Sequence, residues 1–488
     1  MSASVAQNTM YLTVASIGQK ILAFVYFLFL ARTMGSEQTG GYFLALSITT
    51  IFSTITDFGI TPVIIRDIAK HPERAMQLVS QAMWFKIPFM AIGAFLAIGS
   101  TFLLGYNQSI RELVMIACLI MLADALSLLF YGVLRGHHAL RFESLGIFVG
   151  QLFTLLFGGT VLLLSPSLHY LIGALLIGSV FNMLFSAQQV IRLLGIKAII
   201  PYCNKETARK LLMTAIPFAL AGIFVKVYSY VDSILISIFL NTAAVGVYAL
   251  AYKFTYAFQF LPMAFVAALY PGMSALVSND PKRLKTVFDD ALWYMMVLAT
   301  PITFGLFVIA KEAIALAGSD FSEATVVLQI LIFVLIPIFL DFPVGSLLNA
   351  ADRQSTKTAI MGVTMVINVI FNVLLVPTYG LIGAAISAVI SFYFLFFAGL
   401  VFIPKIIPGY RIRDCFRTIL PIGLSGVVMG VVAMLLKPVI GYQLIIPLSV
   451  VVYIAMLFLT RSMRVTHLKN ALAIIRKKPS YEDAPVHD

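Results

Sequence analysis

Lys20 and Lys226 each fall near the middle of a long apolar segment, and they coincide when the chain is laid over itself with a shift of 206 residues. A lysine at the centre of a bilayer helix costs about 2.5 to 3.5 kcal/mol even on the lenient insertion scale, so such a group needs a partner or a task. The chemistry that a matched pair of ammonium groups offers is the holding of an anion through charge-assisted hydrogen bonds.

Six more ionisable side chains share the apolar segments: Lys86, Lys253, Asp57, Asp124, Asp232 and Asp341. Lys86 lies a few residues inside the cytoplasmic end of its segment and is expected to snorkel to the interface. The helical faces shared with the two central lysines are small or polar: Thr13, Ser16 and Ala23 beside Lys20, and Ala219, Gly222, Ser229, Tyr230 and Ser233 beside Lys226. Two readings stay open. The lysines hold an anion in a water-filled cavity, or they lie in a small-residue packing seam in which each pairs with an acid such as Asp57 or Asp232. Asp232 lies about 120° round the helix from Lys226, so it is expected to reach Lys253 on the next segment, as a structural or gating link or as a ligand contact. Asp124 and Asp341 sit on the fourth segment of each half at unaligned positions. They are read as protonated, hydrogen-bonded carboxyls or as proton-coupling groups.

Other chemistry finds no support. Gly35 to Tyr42 has the first spacing of a phosphate loop, but Gly41 and Tyr42 replace its Lys and Ser/Thr, and GxSxG, HExxH and EF-hand patterns are absent. The cysteines, Cys118, Cys203 and Cys415, form no CxxC and no even framework. The expectation is a protein that is not an enzyme, with no disulfide, metal site or cofactor. The net charge of +12 is spread over short loops, which points to anionic membrane lipids and not to nucleic acid.

The elements that must carry these groups are membrane helices. Of the 488 residues 61% are hydrophobic and 11% charged, far from a soluble composition. Fourteen spans are expected, at 9–31, 40–62, 83–104, 111–134, 145–165, 168–191, 211–240, 243–270, 290–316, 324–350, 358–376, 380–403, 416–437 and 440–460. The first is too long for a signal-peptide core and is expected to remain as a helix. The even-numbered loops and the C-terminal tail hold 25 of the 33 Lys and Arg, which places both termini in the cytoplasm.

The chain also repeats itself. At the shift of 206, Ala15, Ile17, Lys20, Val25, Gly40, Tyr42, Leu44, Ala45 and Thr49 meet identical residues, and Leu171 to Ala174 recurs as Leu381 to Ala384. Six spans per repeat give both copies the same orientation, related by an axis along the membrane normal. The expected organisation is a six-helix lobe over 1–205, a second over 206–410, and two further helices with a basic tail over 411–488.

Leu30-Ala31-Arg32-Thr33-Met34-Gly35, Gly40 to Leu46 and Thr56-Asp57-Phe58-Gly59-Ile60 resemble the N-terminal signature of polysaccharide flippases. Asn368, Asn372, Pro377, Gly380, Gly383, Ala384 and Ala385 resemble their Asn-rich, Pro-Xaa-Tyr-Gly-containing stretch. Over about residues 5–405 the chain is similar to Wzx-type lipid-linked oligosaccharide flippases of the multidrug/oligosaccharidyl-lipid/polysaccharide exporter superfamily. That resemblance implies an all-α polytopic protein of the cell (inner) membrane, with two parallel-repeat six-helix lobes in a V shape and a central cavity between them. Lys20 and Asp57 would line one wall, and Lys226, Asp232 and Lys253 the other.

The activity so implied is movement of a polyprenyl-diphosphate-linked oligosaccharide from the cytoplasmic to the outer leaflet by alternating access, the diphosphate held by the midplane lysines. Tyr230, Asn182, Gln188, Gln259 and Tyr228 are candidates to hydrogen-bond or stack on sugar. The implied partners are the lipid-linked glycan, membrane lipids and polysaccharide polymerase or glycosyltransferase machinery, with the protein acting as a monomer. The runner-up is a cation-coupled multidrug exporter of the same superfamily, although the first helix offers Lys20 where such exporters often carry a coupling carboxylate. A membrane-embedded glycosyltransferase or polymerase would need a sizeable outward loop, and every outward loop here is short.

Overall fold

The computed structural model describes residues 5–277 and 279–463, and among these there are helices and connecting turns but no strands. The first half is built from α1 (Val5–Asp57), α2 (Ile60–Lys70), α3 (Ala75–Leu103), α4 (Gln108–Gly136), α5 (Leu140–Leu164) and α6 (Leu168–Leu194). The second comprises α7 (Lys205–Phe239), α8 (Thr242–Tyr256), α9 (Phe260–Val277), α10 (Pro281–Val308), α11 (Ala310–Ala315), α12 (Ala324–Leu331), α13 (Leu335–Ala350) and α14 (Gln354–Leu400), before α15 (Ile412–Leu459).

Ten described helices are long and apolar enough to cross a bilayer, and three of them, over 15–57, 354–405 and 412–459, run to 43, 52 and 48 residues. At about 1.5 Å per residue each is twice the length that a hydrocarbon core of about 30 Å requires. Each folds back at a glycine with positive φ, Gly35 (75°), Gly380 (60°) and Gly441 (74°), a conformation that costs a glycine little. Counting these three as paired crossings and adding α8 with α9 gives the fourteen spans expected.

Four expectations change in detail. The second span ends at Asp57, where Phe58 and Gly59 take positive φ (46° and 68°) and the chain restarts as the short helix α2. The span placed at 243–270 breaks into a 3-10 turn at Ala257–Gln259, and the one at 324–350 does so at Ile332–Val334. The polar stretch 63–82, expected as a loop, is largely helical because α2 is strongly two-faced and buries Val63, Ile64 and Ile68.

Within the first half α1 packs on α3, α4 and α5, and α4 on α6; in the second α7 packs on α14, and α15 lies along α10. The halves are joined through α1 with α8, and through α1 and α2 with α7. The α1–α8 contact is reciprocal. A Cβ added to Gly40 would lie 1.8 Å from the Thr242 carbonyl oxygen, and one added to Gly246 would lie 2.0 Å from that of Ser36. Both pairs obey the shift of 206, as a contact across a two-fold axis must, since residue i then meets j and j meets i.

Candidate functional site

Lys226 lies on α7, which leans on the second half of α1 where Thr54 meets Gly222. With Asp57 and Asp124 it lines a cavity of about 310 Å³ whose opposite wall carries Thr49, Thr50, Ser53 and Thr56. These four fall on one face of α1 at helical spacing. Three of their hydroxyls donate to carbonyls of their own helix, Thr49 to Ala45 at 3.0 Å, Ser53 to Thr50 at 2.7 Å and Thr56 to Ser53 at 2.7 Å. That local bonding lets hydroxyls line a cavity inside an otherwise apolar helix.

The lysines are not spent on the acids that could have neutralised them. Asp57 accepts from Lys86 at 2.6 Å and from Thr61 at 2.5 Å. Lys86, expected to snorkel, is instead 0% exposed and is held wholly by that pair. The reason is reach: α3 turns Lys86 into the lobe at the level where α1 ends, and a buried charge is stable only beside its counter-ion. Lys226 has no carboxylate partner among the described residues and rests 5.7 Å from the Tyr230 ring centroid, as the one-turn spacing requires. Lys20 is half-buried, also without a carboxylate partner among the described residues. It does not line the cavity of Lys226, although its neighbour Gln19 lines an adjoining one.

Asp232 and Lys253 do not pair, contrary to expectation. Asp232 accepts from the Tyr248 hydroxyl at 2.7 Å and from the Asn372 amide at 2.8 Å, fully buried. Both oxygens are satisfied by neutral donors, so this buried carboxyl is held without an ion pair. The repeat puts Tyr26 at the position equivalent to Asp232, so this acid belongs to the second lobe alone. Lys253 sits over Phe27 and Phe43 of the first lobe, 5.3 and 5.4 Å from their centroids, a cation–π seat at the lobe interface.

Asp124 is deep in the first lobe yet presents open surface, because it faces the cavity. Asp341 is paired with Lys357 at 2.6 and 2.7 Å, on a separate cavity of about 440 Å³ that also reaches Gln259 and Tyr228. The sequence reading assigned Lys357 to a loop and so missed this pair, as it missed Tyr248 and the role of Lys86. Asn372 was visible only as part of a resemblance.

The family comparison follows the same architecture. The polysaccharide biosynthesis protein family matches residues 5–277, more than half of the chain, and the MatE family matches 217–374. The chain belongs to the polysaccharide biosynthesis protein family. This family member is 25% identical over 391 residues to the probable low-salt glycan biosynthesis flippase Agl15 of Haloferax volcanii, covering 79% of this chain and 81% of the other. It is 20% identical to the capsular polysaccharide biosynthesis protein CapF of Staphylococcus aureus, over 80% of this chain and 98% of that one. Among solved structures its fold is similar to that of the lipid II flippase MurJ in an inward closed conformation, with TM-score 0.75 and 17% identity over 93% of this chain and 99% of the other. An inward-facing multidrug resistance MATE transporter of the MOP superfamily gives TM-score 0.66 and 14% identity over 80% and 96%. The chain is thus an all-α, multi-pass membrane protein with the fold of that superfamily.

Proposed function

We propose that this protein is a flippase for a polyprenyl-diphosphate-linked oligosaccharide, moved from the cytoplasmic to the outer leaflet by alternating access of two six-helix lobes, 1–205 and 206–410, with 411–488 appended. The observation that carries the reading is Lys226: a lysine on a membrane helix, lining a cavity, with Asp57 and Asp232, the acids expected to neutralise it, bonded elsewhere. A diphosphate is the counter-ion it lacks, and Lys20 on the repeat-equivalent helix is the second cation for the same group. The relative named a probable low-salt glycan biosynthesis flippase supports this substrate class. The cavity is not uniformly cationic, because the Lys86–Asp57 pair is neutral and Asp124 adds a carboxyl. That mixture suits a diphosphate joined to a polar glycan better than a bare anion. Tyr230 and Lys253 are assigned to the same binding wall, and Asp57, Asp124, Asp232 and Asp341 to gating or coupling. The protein acts as a monomer in the inner membrane, both termini cytoplasmic, beside the polymerase or glycosyltransferase that handles the glycan.

The test is reconstitution into vesicles with a labelled polyprenyl-diphosphate oligosaccharide, whose appearance in the opposite leaflet is followed by a membrane-impermeant glycosidase. Transport by the wild type and none by Lys226→Ala is the expected result, and equal transport by empty vesicles would reject the function. The MatE family match favours one second reading, a cation-coupled drug exporter. Ethidium efflux driven by a proton or sodium gradient, with no glycan-lipid movement, would establish it.

A further inference from the structure

Behind the Lys226 cavity lies a second, of about 430 Å³, enclosed by α1, α4, α5 and α6 of the first lobe. The two share Leu46, Ile120, Asp124 and Leu128, so they adjoin with Asp124 at the boundary. Along α4 the second runs from Asp124 past Tyr131 to Arg135, eleven residues or about 16 Å, enough for more than one sugar ring. Its size is that of a ligand pocket. Its lining is unusual for a membrane-embedded lobe, where polar groups are costly unless used.

The amides sort into two sets. Asn182 is spent inside the protein, accepting from the Tyr131 hydroxyl at 2.8 Å and donating to the Gly178 carbonyl at 3.1 Å. Arg135 and Glu143 close the cytoplasmic end as an ion pair, Nε to Oε2 2.7 Å. Gln19 and Gln151 line the same space, and neither spends its amide on any described residue. Each therefore offers two donors and an acceptor to whatever fills the pocket. Gly150 and Gly178 pack against each other at the back, where a Cβ on Gly178 would come within 2.7 Å of the Gly150 carbonyl oxygen, so α5 and α6 form a tight, fixed floor.

We infer that this pocket is the glycan subsite: the first sugars beyond the diphosphate lie in it, read by Gln19 and Gln151, while Lys226 holds the diphosphate at its mouth. Neutral amides that both donate and accept match sugar hydroxyls, which do the same. They offer nothing to an apolar drug, and little to a free phosphate with Asp124 and Glu143 nearby. The inference rests on the flippase reading above and deepens it by separating sugar recognition from phosphate recognition.

The experiment measures binding to the purified full-length protein of two probes, a polyprenyl diphosphate and the same lipid bearing a disaccharide. Wild type should bind the glycosylated lipid more tightly. Gln151→Leu and Gln19→Leu should each remove that gain by about fivefold to tenfold, the worth of one or two hydrogen bonds in a buried site. Affinity for the bare lipid should stay unchanged, which also reports that the variants are folded. Lys226→Ala should weaken both probes alike. A sugar gain that survives in both glutamine variants, or a parallel loss of both probes in them, overturns the subsite. Wild type that prefers neither lipid form overturns it while sparing the diphosphate reading, and wild type that binds neither probe rejects the flippase reading itself.

Discussion

Gly40 and Gly246 stand 206 residues apart in the chain and meet backbone to backbone across the lobe interface, each close to the carbonyl four residues before the other. No side chain fits at either place. The two halves are further tied by Tyr106, whose hydroxyl lies 2.5 Å from that of Ser237.

Gly40→Ala is expected to force α1 and α8 apart at a cost of about 1 to 3 kcal/mol, the usual penalty for overpacking. In a cysteine-free background, Tyr252→Cys, buried beneath this contact, should then react faster with a membrane-impermeant maleimide. An unchanged labelling rate would mean that the glycine contact does not close the outer side.

Removing Lys86 should cost stability more than function-specific chemistry. Lys86→Met leaves Asp57, which is partly exposed to the cavity and still bonded to Thr61, without its counter-ion, a loss below the roughly 3 to 5 kcal/mol of a fully buried pair. Thermal unfolding in detergent should show a marked fall for Lys86→Met and recovery of most of it when Asp57→Asn is added. If the double variant is no more stable than the single, the pair is not what holds α1 to α3.

Lys20→Ala and Lys226→Ala should behave oppositely, each abolishing export of a lipid-linked glycan with normal protein in the membrane, because among the described residues neither lysine holds a carboxylate that its loss would strand. Lys→Arg at either position should retain more export than Ala. Equal losses for Arg and Ala would point to tight packing, and normal export by the double alanine variant would remove the lysines from the mechanism. Immunoblotting of membranes beside a surface-glycan assay supplies both readouts.

Asp232 separates structure from coupling. Asp232→Ala strands the Tyr248 and Asn372 donors, at about 1 to 3 kcal/mol, and should lower the unfolding temperature, whereas Asp232→Asn keeps the volume and one acceptor oxygen. The Asn variant is therefore expected to fold normally and to lose any dependence of transport on a proton or sodium gradient. A gradient response equal to wild type would assign Asp232 a packing role alone.

A formally dianionic diphosphate leaving a cytoplasm at −100 mV gains about 4 to 5 kcal/mol from the potential. Collapsing the potential in vesicles with valinomycin and potassium should slow outward movement in proportion. Indifference to the potential would mean that the lysines carry their charge across with the ligand.

Much of the fold is legible in the sequence alone. The hydropathy pattern specifies the helices and roughly where they break, since both depend on a few neighbouring residues, whereas the glycines at which α1, α14 and α15 turn, Gly35, Gly380 and Gly441, emerge only from the structure. The shift of 206 specifies the symmetry that Gly40 and Gly246 then obey. The flaws in the sequence reading lie where the backbone breaks locally, as at Ala257–Gln259, or where a charge near a helix end turns inward, as Lys86 and Lys357 do.

Most of the intramembrane charges came from the sequence by itself, because an ionisable residue in an apolar run is costly wherever it points; Lys357, at the very start of its helix, did not. Which acid each lysine reaches was decided only by tertiary structure. Partnership depends on the rotation of each helix and the reach of a side chain across to its neighbour, so Asp57 went to Lys86 and Asp232 to Tyr248 and Asn372. Lys20 and Lys226, the two charges that opened the question, were thereby left without a carboxylate among the described residues.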